Sequence, residues 1–284
     1  MDPYSPERYV YHYTKTKILL DFILPDKALL LSPLSKTNDP REYKYKLFSM
    51  ISNFLYTDAE YMAINDQINR IIGENCKVAA FCCDTNWPYQ NIEFRGYMHP
   101  RMWAQYSENH SGVCIVFNRT RIEEAFNGLS SIGSIFSGEM SYYKRPSRNA
   151  TRADYRVINE QELSPESLIQ HINKYYRELF FQKNIDWQDE AEYRLLLLQK
   201  GTTESVYINL KETVAAVIIG SEYPESLIDP LLKYARSMYF SIGHLQWKYG
   251  DAYIGTTLYD PTDERGYPDR RAYFFTNIDF FQHE

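Results

Sequence analysis

The segment Trp187-Gln-Asp-Glu-Ala-Glu-Tyr-Arg-Leu-Leu-Leu-Leu-Gln199 runs an acidic cluster straight into four consecutive leucines. A fold that accepts it must carry charge into a core, which is costly unless the charged groups are paired or used. Read as a strand of period two, Glu190, Glu192, Arg194, Leu196 and Leu198 share one face, and a carboxylate and a guanidinium enter a partly buried sheet. Read as a helix, Glu190 and Arg194 form an i,i+4 ion pair and the leucines a core stripe. The two periodicities predict different proteins, so the rest of the chain has to arbitrate.

At 284 residues the chain can bury a sizeable core. No repeat or linker divides it, so it reads as a single domain, 1–284, with a core over 9–220 and a C-terminal helix and wrapping segment over 221–284. The formal net charge of −6 supplies no long-range attraction to nucleic acid or anionic membrane, although a local basic groove is compatible with it. Tyr (26) and Phe (15) are abundant while Gly (12) is scarce, which favours aromatic clefts over glycine-lined phosphate loops. Cys76, Cys82, Cys83 and Cys114 lie in or beside apolar runs without the paired spacing of a zinc site, so they read as reduced core thiols and no metal is expected. No secretory leader precedes Tyr9 and no apolar run approaches ~18 residues, so the expected location is the cytoplasm, away from membrane.

Along the chain, Tyr9–Thr14 reads as an aromatic strand, with Thr14 capping a helix through Ile18, Leu19, Phe22 and Ile23. Ala28–Leu34 is a second strand, followed by the polar turn Ser35–Arg41. Two amphipathic helices are expected between Tyr43 and Ile72, and a buried strand at Val78–Cys83. Asp84–Pro100 reads as a long irregular segment, Met102–Tyr106 as a short helix and Gly112–Phe117 as a strand. Gly128–Gly138 reads as a mobile loop or hairpin connection and Met140–Tyr143 as a short strand. Ser164 opens a helix with Pro at its first position. Strands follow at Ser205–Leu210 and Val214–Ile219, then a helix through Leu227–Met238 and an irregular tail with one late strand at Ala272–Thr276.

Common site signatures are missing. There is no GxxxxGK[ST], no GxGxxG after a strand, no GxSxG and no HExxH, which lowers phosphate-loop NTPase, Rossmann dehydrogenase, α/β-hydrolase and zincin readings. His12 sits in the aromatic strand on the face opposite Tyr11 and Tyr13, and reads either as a satisfied core residue or as a ligand group. His110 reads as a loop histidine. Arg41, after Asn38-Asp39-Pro40, is either a turn ion pair or an anion binder.

Taken in order, Tyr11-His12-Tyr13-Thr14, a helix, a strand ending near Ser32 and a late Glu-x-Glu-Tyr-Arg strand resemble the His/aromatic/Glu layout of ADP-ribosyltransferases of the diphtheria-toxin and poly-ADP-ribose-polymerase type. The fuller wording is similar to a large bacterial family labelled a domain of unknown function. It comprises Tyr-His-Tyr-Thr, Asn-Asp-Pro, Met-Trp-Ala-x-Tyr, His-Ser-Gly-Val-Cys-Ile and Trp-x-x-Glu-x-Glu-Tyr-Arg and spans most of residues 9–220. The opening Tyr-His-x-Thr and helix also resemble the DNA-modifying DarT toxins.

The resemblance implies an α+β fold built on a split, twisted β-sandwich with inserted helices. It implies NAD as co-substrate and transfer of ADP-ribose to a macromolecular acceptor, nucleic acid or protein, in a bacterial toxin or phage-defence setting with a possible antitoxin partner. His12 would bind the adenosine ribose, and Glu192, with Glu190 as the alternative, would bond the nicotinamide ribose and steady the oxocarbenium-like state. Arg41 or Arg194 would meet the pyrophosphate, and Tyr13, Tyr43 and Tyr106 are stacking candidates, with Thr14 beside them. Phe81, Trp103 and Tyr106 compete for the middle aromatic position. Rival readings are a non-catalytic nucleic-acid or protein-binding module on the same fold, and an NAD glycohydrolase. Pairing Glu192 with His12 as two ends of one site favours the strand reading of Trp187–Gln199. Glu192→Gln is then expected to abolish NAD turnover with little change in thermal midpoint.

Overall fold

The computed structural model describes residues 9–42, 49–51, 57–85, 95–144, 157–159, 165–199, 204–249 and 251–261. Its strands are β1 (Tyr9–Thr14), β2 (Ala28–Pro33), β3 (Ser49–Ile51), β4 (Cys76–Cys82), β5 (Val113–Asn118), β6 (Gly133–Glu139) and β7 (Ser141–Tyr143) in the first half. The second half adds β8 (Val157–Asn159), β9 (Gln182–Asn184), β10 (Glu192–Gln199), β11 (Val206–Asn209), β12 (Val214–Ile219), β13 (Ser241–Lys248) and β14 (Asp251–Tyr259). Ten of these form one mixed sheet with the path β11-β2-β4-β1-β5-β12-β13-β14, and β10 and β6 extend from β4. With helices such as Asp58–Asn75, Arg119–Asn127 and Ile228–Met238 packed around the sheet, the fold is α+β.

The feature that positions the site is a split in this sheet. Strand β4 is paired along its whole length by β10, from Glu192↔Cys82 to Leu198↔Cys76. Its other edge is shared: β1 meets it at Tyr11↔Cys82 and β2 at Ser32↔Val78 and Pro33↔Lys77. Between these contacts Ala79–Phe81 has no strand partner on that side among the described residues, so β1 and β2 part there. An open edge inside a sheet leaves backbone groups that must find other partners.

Packing follows the register. Val10, Phe81, Ile115, Tyr193, Leu195 and Leu197 form the core on one face. On the other face Tyr11, Tyr13, Cys82 and Trp103 form one cluster, and Val78, Leu196, Leu198 and Ile72 another. Glu192 and Arg194, paired with Cys82 and Ala80, fall between these two apolar clusters. Charge therefore enters the core where hydrophobic packing is interrupted.

The strand reading of the Trp187–Gln199 segment holds from Glu192 onward, with every residue of β10 buried. It does not extend to Glu190, which ends a 3-10 turn over Ile185–Glu190. Ala191 adopts a left-handed conformation (φ 42°) at the junction, costing an L-residue roughly 1–2 kcal/mol. Gly128–Gly138, expected as a mobile loop or a hairpin connection, is a strand in its second half: from Gly133 it becomes β6 and pairs with β10 over seven residues. A Cβ at Gly133 would lie 2.3 Å from the Leu198 carbonyl, so the close approach requires glycine. Ser49–Ile51 is a strand where a helix is expected, and Asp58–Asn75 is a single helix opened by a Thr57/Glu60 capping box. Thr14 does not cap the first helix, whose N-cap is Lys15 without a side-chain bond. The C-terminal segment is more regular than expected, because β13 and β14 form a hairpin that extends the sheet from β12. Tyr43 and Ala272–Thr276 lie outside the described residues.

Candidate functional site

The split between β1 and β2 opens a cavity of about 240 Å³. The wall from β1 brings Tyr11, His12 and Tyr13, and the exposed edge of β4 brings Ala79–Phe81. Register puts Glu192 and Arg194 on the same face as Tyr11, while His12 starts from the other face. The missing strand opposite Ala80 gives the imidazole room to reach into the sheet plane, where its Nδ1 lies 3.0 Å from the Ala80 carbonyl oxygen. A carbonyl only accepts, so Nδ1 carries the proton. Burial pushes the His12 pKa below its ordinary value, and the Ala80 bond only partly opposes this. The neutral ring thus keeps Nε2 as an acceptor.

Opposite His12 lies a chain of alternating charges. Glu42 Oε1 is 2.5 Å from Arg194, and Arg194 Nε donates to Glu192 Oε1 at 2.6 Å. Lys183 Nζ donates to Glu192 Oε2 at 2.5 Å and to Glu190 Oε2 at 2.8 Å. The Tyr106 hydroxyl donates to Glu190 Oε1 at 2.5 Å and receives a bond from Asn38 Nδ2 at 3.0 Å. Arg194, the most deeply buried of these at 1 % exposure, also donates to the Phe180 carbonyl. Among the described residues three carboxylates of this network face two cations, a formal excess of one negative charge.

Burial opposes ionisation of Glu192, but Arg194 and Lys183 outweigh it and hold its carboxyl below the usual range. Lys183 and Arg194 are raised in turn: desolvation pulls each down, and Glu192 and Glu42 more than compensate. A depressed carboxyl pKa contributes stability above its ordinary value of 4.5 and loses it as pH falls through the lower folded value. The raised cations contribute stability at neutral pH and lose it only in strong alkali. The thermal midpoint should therefore be flat across neutral pH and drop below about 4.5. A midpoint series from pH 3 to 8 checks this, and the gap between wild type and Glu192→Gln should close in acid.

The two carboxylates reach this arrangement from different elements, Glu192 from the first position of β10 and Glu190 from the 3-10 turn. Lys183 joins them from β9, which pairs in parallel with β7 and sets Tyr142 opposite Lys183. The Tyr142 hydroxyl in turn accepts the Glu192 backbone N–H at 2.8 Å. Sequence reasoning missed Lys183, Glu42 and Tyr142. A lysine two residues after Phe180-Phe181 was the one available signal, since a cation in an apolar stretch implies a buried partner.

The other candidates are placed as follows. Tyr106 and Phe81 line the cavity, whereas Trp103 lies behind Tyr13, edge to face at 5.1 Å. Tyr13 lines the wall but spends its hydroxyl on the Gly96 carbonyl at 2.8 Å. Thr14 and Arg41 are not lining residues; Arg41 holds Asp39 at 2.8 Å and faces Asp186 at 4.0 Å. His110 packs against Trp103 and also lies outside the lining. Burial pushes the Cys82 thiol up, and Cys83 up to about 12, so neither offers a thiolate at neutral pH. Among the described residues no group of three or more His, Cys, Asp or Glu side chains is arranged to hold a metal ion, and no helix is long and apolar enough to cross a membrane.

Residues 102–195 match a family model described as "Protein of unknown function (DUF2971)". The matched stretch contains Tyr106, Lys183, Glu190, Glu192 and Arg194 and stops short of His12, Lys36 and Glu42. Neither a curated protein nor a solved structure matches the chain.

Proposed function

We propose that the cavity binds NAD and promotes cleavage of its nicotinamide–ribose bond, with transfer of ADP-ribose to a macromolecular acceptor. The observation that carries this reading is the convergence of His12 and the Glu190/Glu192 pair on one cavity. The ligand chemistry fits the charges. Oxidised nicotinamide is cationic, and bond cleavage spreads positive charge onto the ribose, so excess negative charge beside the ring favours the transition state. Each Glu192 oxygen accepts one bond in the free protein, and a carboxylate has about four acceptor sites, so a ribose hydroxyl can still bond to it. The His12 Nε2 lone pair suits a second ribose hydroxyl. Tyr106 holds Glu190, and burial raises its own pKa, which keeps its hydroxyl a donor.

His12→Ala is expected to weaken ADP-ribose binding about tenfold or more, the value of one hydrogen bond together with the burial around it. Isothermal titration measures this. Equal binding by wild type and variant would remove His12 from the site. Incubation with NAD followed by mass spectrometry separates transfer from hydrolysis: labelled acceptor supports the transferase, and free ADP-ribose alone would instead indicate a glycohydrolase. Salt-dependent single-strand binding without NAD binding would favour a non-catalytic module. A toxin or phage-defence role, with an antitoxin over the cleft, rests on the motif resemblance and would be tested by growth arrest on expression.

A further inference from the structure

We propose that Lys36 is the anion-binding residue of this cavity and takes a phosphate of the bound ligand. Sequence reasoning assigned that task to Arg41 or Arg194, and the structure leaves neither in a position to do it. Arg194 is buried and turns each of its three nitrogens toward a protein acceptor, Glu192, Glu42 and the Phe180 carbonyl. Arg41 lies outside the lining and is held by Asp39. Lys183 is shared between two carboxylates. Lys36 is the third cation of the lining; it is exposed and carries no ion pair among the described residues.

The segment that presents Lys36 is fastened at both ends. Leu34 is fully buried against Ile68, Ile72 and Val78. On the far side Asp39, 2 % exposed, accepts from the Arg41 backbone N–H, and Glu42 is tied to Arg194. In between, Asn38 bonds Tyr106, which links the rim to the carboxylate chain. A cation on a fixed rim loses less freedom on binding than one on a loose loop. The cavity therefore has excess negative charge at Glu190/Glu192 and unpaired positive charge at Lys36. This polarity fits a ligand that is cationic at one end and phosphorylated further along. The identity of the phosphate carrier as a dinucleotide rests on the proposed function; the anion site does not.

The test is isothermal titration of the full chain with inorganic pyrophosphate, ADP-ribose and nicotinamide riboside, using wild type, Lys36→Ala and Lys36→Arg. Lys36 is exposed, so the thermal midpoints should coincide. Lys36→Ala should weaken pyrophosphate and ADP-ribose about tenfold, the value of one charge-assisted bond, leave the phosphate-free riboside unchanged, and be rescued by Lys36→Arg. Unchanged ADP-ribose and pyrophosphate binding in Lys36→Ala overturns the assignment and leaves the NAD reading intact. Lys36-dependent pyrophosphate binding without NAD or ADP-ribose binding supports the anion site and overturns the NAD reading. Wild type that binds none of the three probes overturns both.

Discussion

Glu192→Gln should lower NAD turnover by about 10³-fold, the usual cost of removing one electrostatic stabiliser of a developing charge. It should also lower the thermal midpoint, contrary to what the sequence suggests for a residue at the edge of a sheet. Glu192 is 3 % exposed and accepts from Arg194 on one oxygen and Lys183 on the other. A glutamine amide can accept from only one of them and turns N–H donors toward the second cation. Leaving a buried charged donor without its acceptor costs about 2 kcal/mol, or roughly 4–8 °C in a domain of this size. Activity and ADP-ribose binding should therefore be compared well below both midpoints. Binding retained with turnover lost places Glu192 in the chemical step. Turnover within tenfold of wild type would remove it from that role.

Lys183→Met should have the largest effect on stability. Among the described residues Lys183 is the one cation paired with both Glu190 and Glu192, and its loss leaves two buried carboxylates with Arg194 as the remaining paired cation. Breaking a buried pair costs about 3–5 kcal/mol. Two carboxylates that lose the cation they share disfavour double ionisation, so the variant should hold a proton to higher pH than wild type, and the acid limb of the pH–rate profile should move upward. Adding Glu190→Gln to Lys183→Met removes one of the opposed charges and should recover much of the lost stability without restoring turnover. Denaturant titrations of the four members of this cycle give the coupling directly. A Lys183→Met protein as stable as wild type would mean that the charge chain contributes little to the fold.

What could be read from the chain was set by periodicity and residue type. The alternation of Tyr9–Thr14 was enough to place His12 opposite Tyr11 and Tyr13, because a strand's side-chain period is fixed by its backbone. Val214–Ile219 and Val113–Asn118 were legible as strands because nearly every residue is apolar and buried. The Glu-x-Glu-Tyr-Arg segment could be identified as charge entering a core, but periodicity assigned Glu190 to the strand. The left-handed Ala191 is a local backbone event with no glycine to announce it.

By itself, the sequence showed that carboxylates and an arginine run into an aliphatic core segment, as a strand or as a helix, and that a histidine stands in an aromatic strand. Tertiary structure alone decided their partners. Glu42 and Tyr142 come from distant positions and Lys183 from a separate short strand, and their pairing depends on β7 lying against β9 and on the Leu34–Glu42 segment folding back over Arg194. The parting of β1 and β2 along β4 was equally invisible. It arises from which strands share one edge, a non-local hydrogen-bonding choice that no window of residues encodes, and it brings His12 and Glu192 to one cavity.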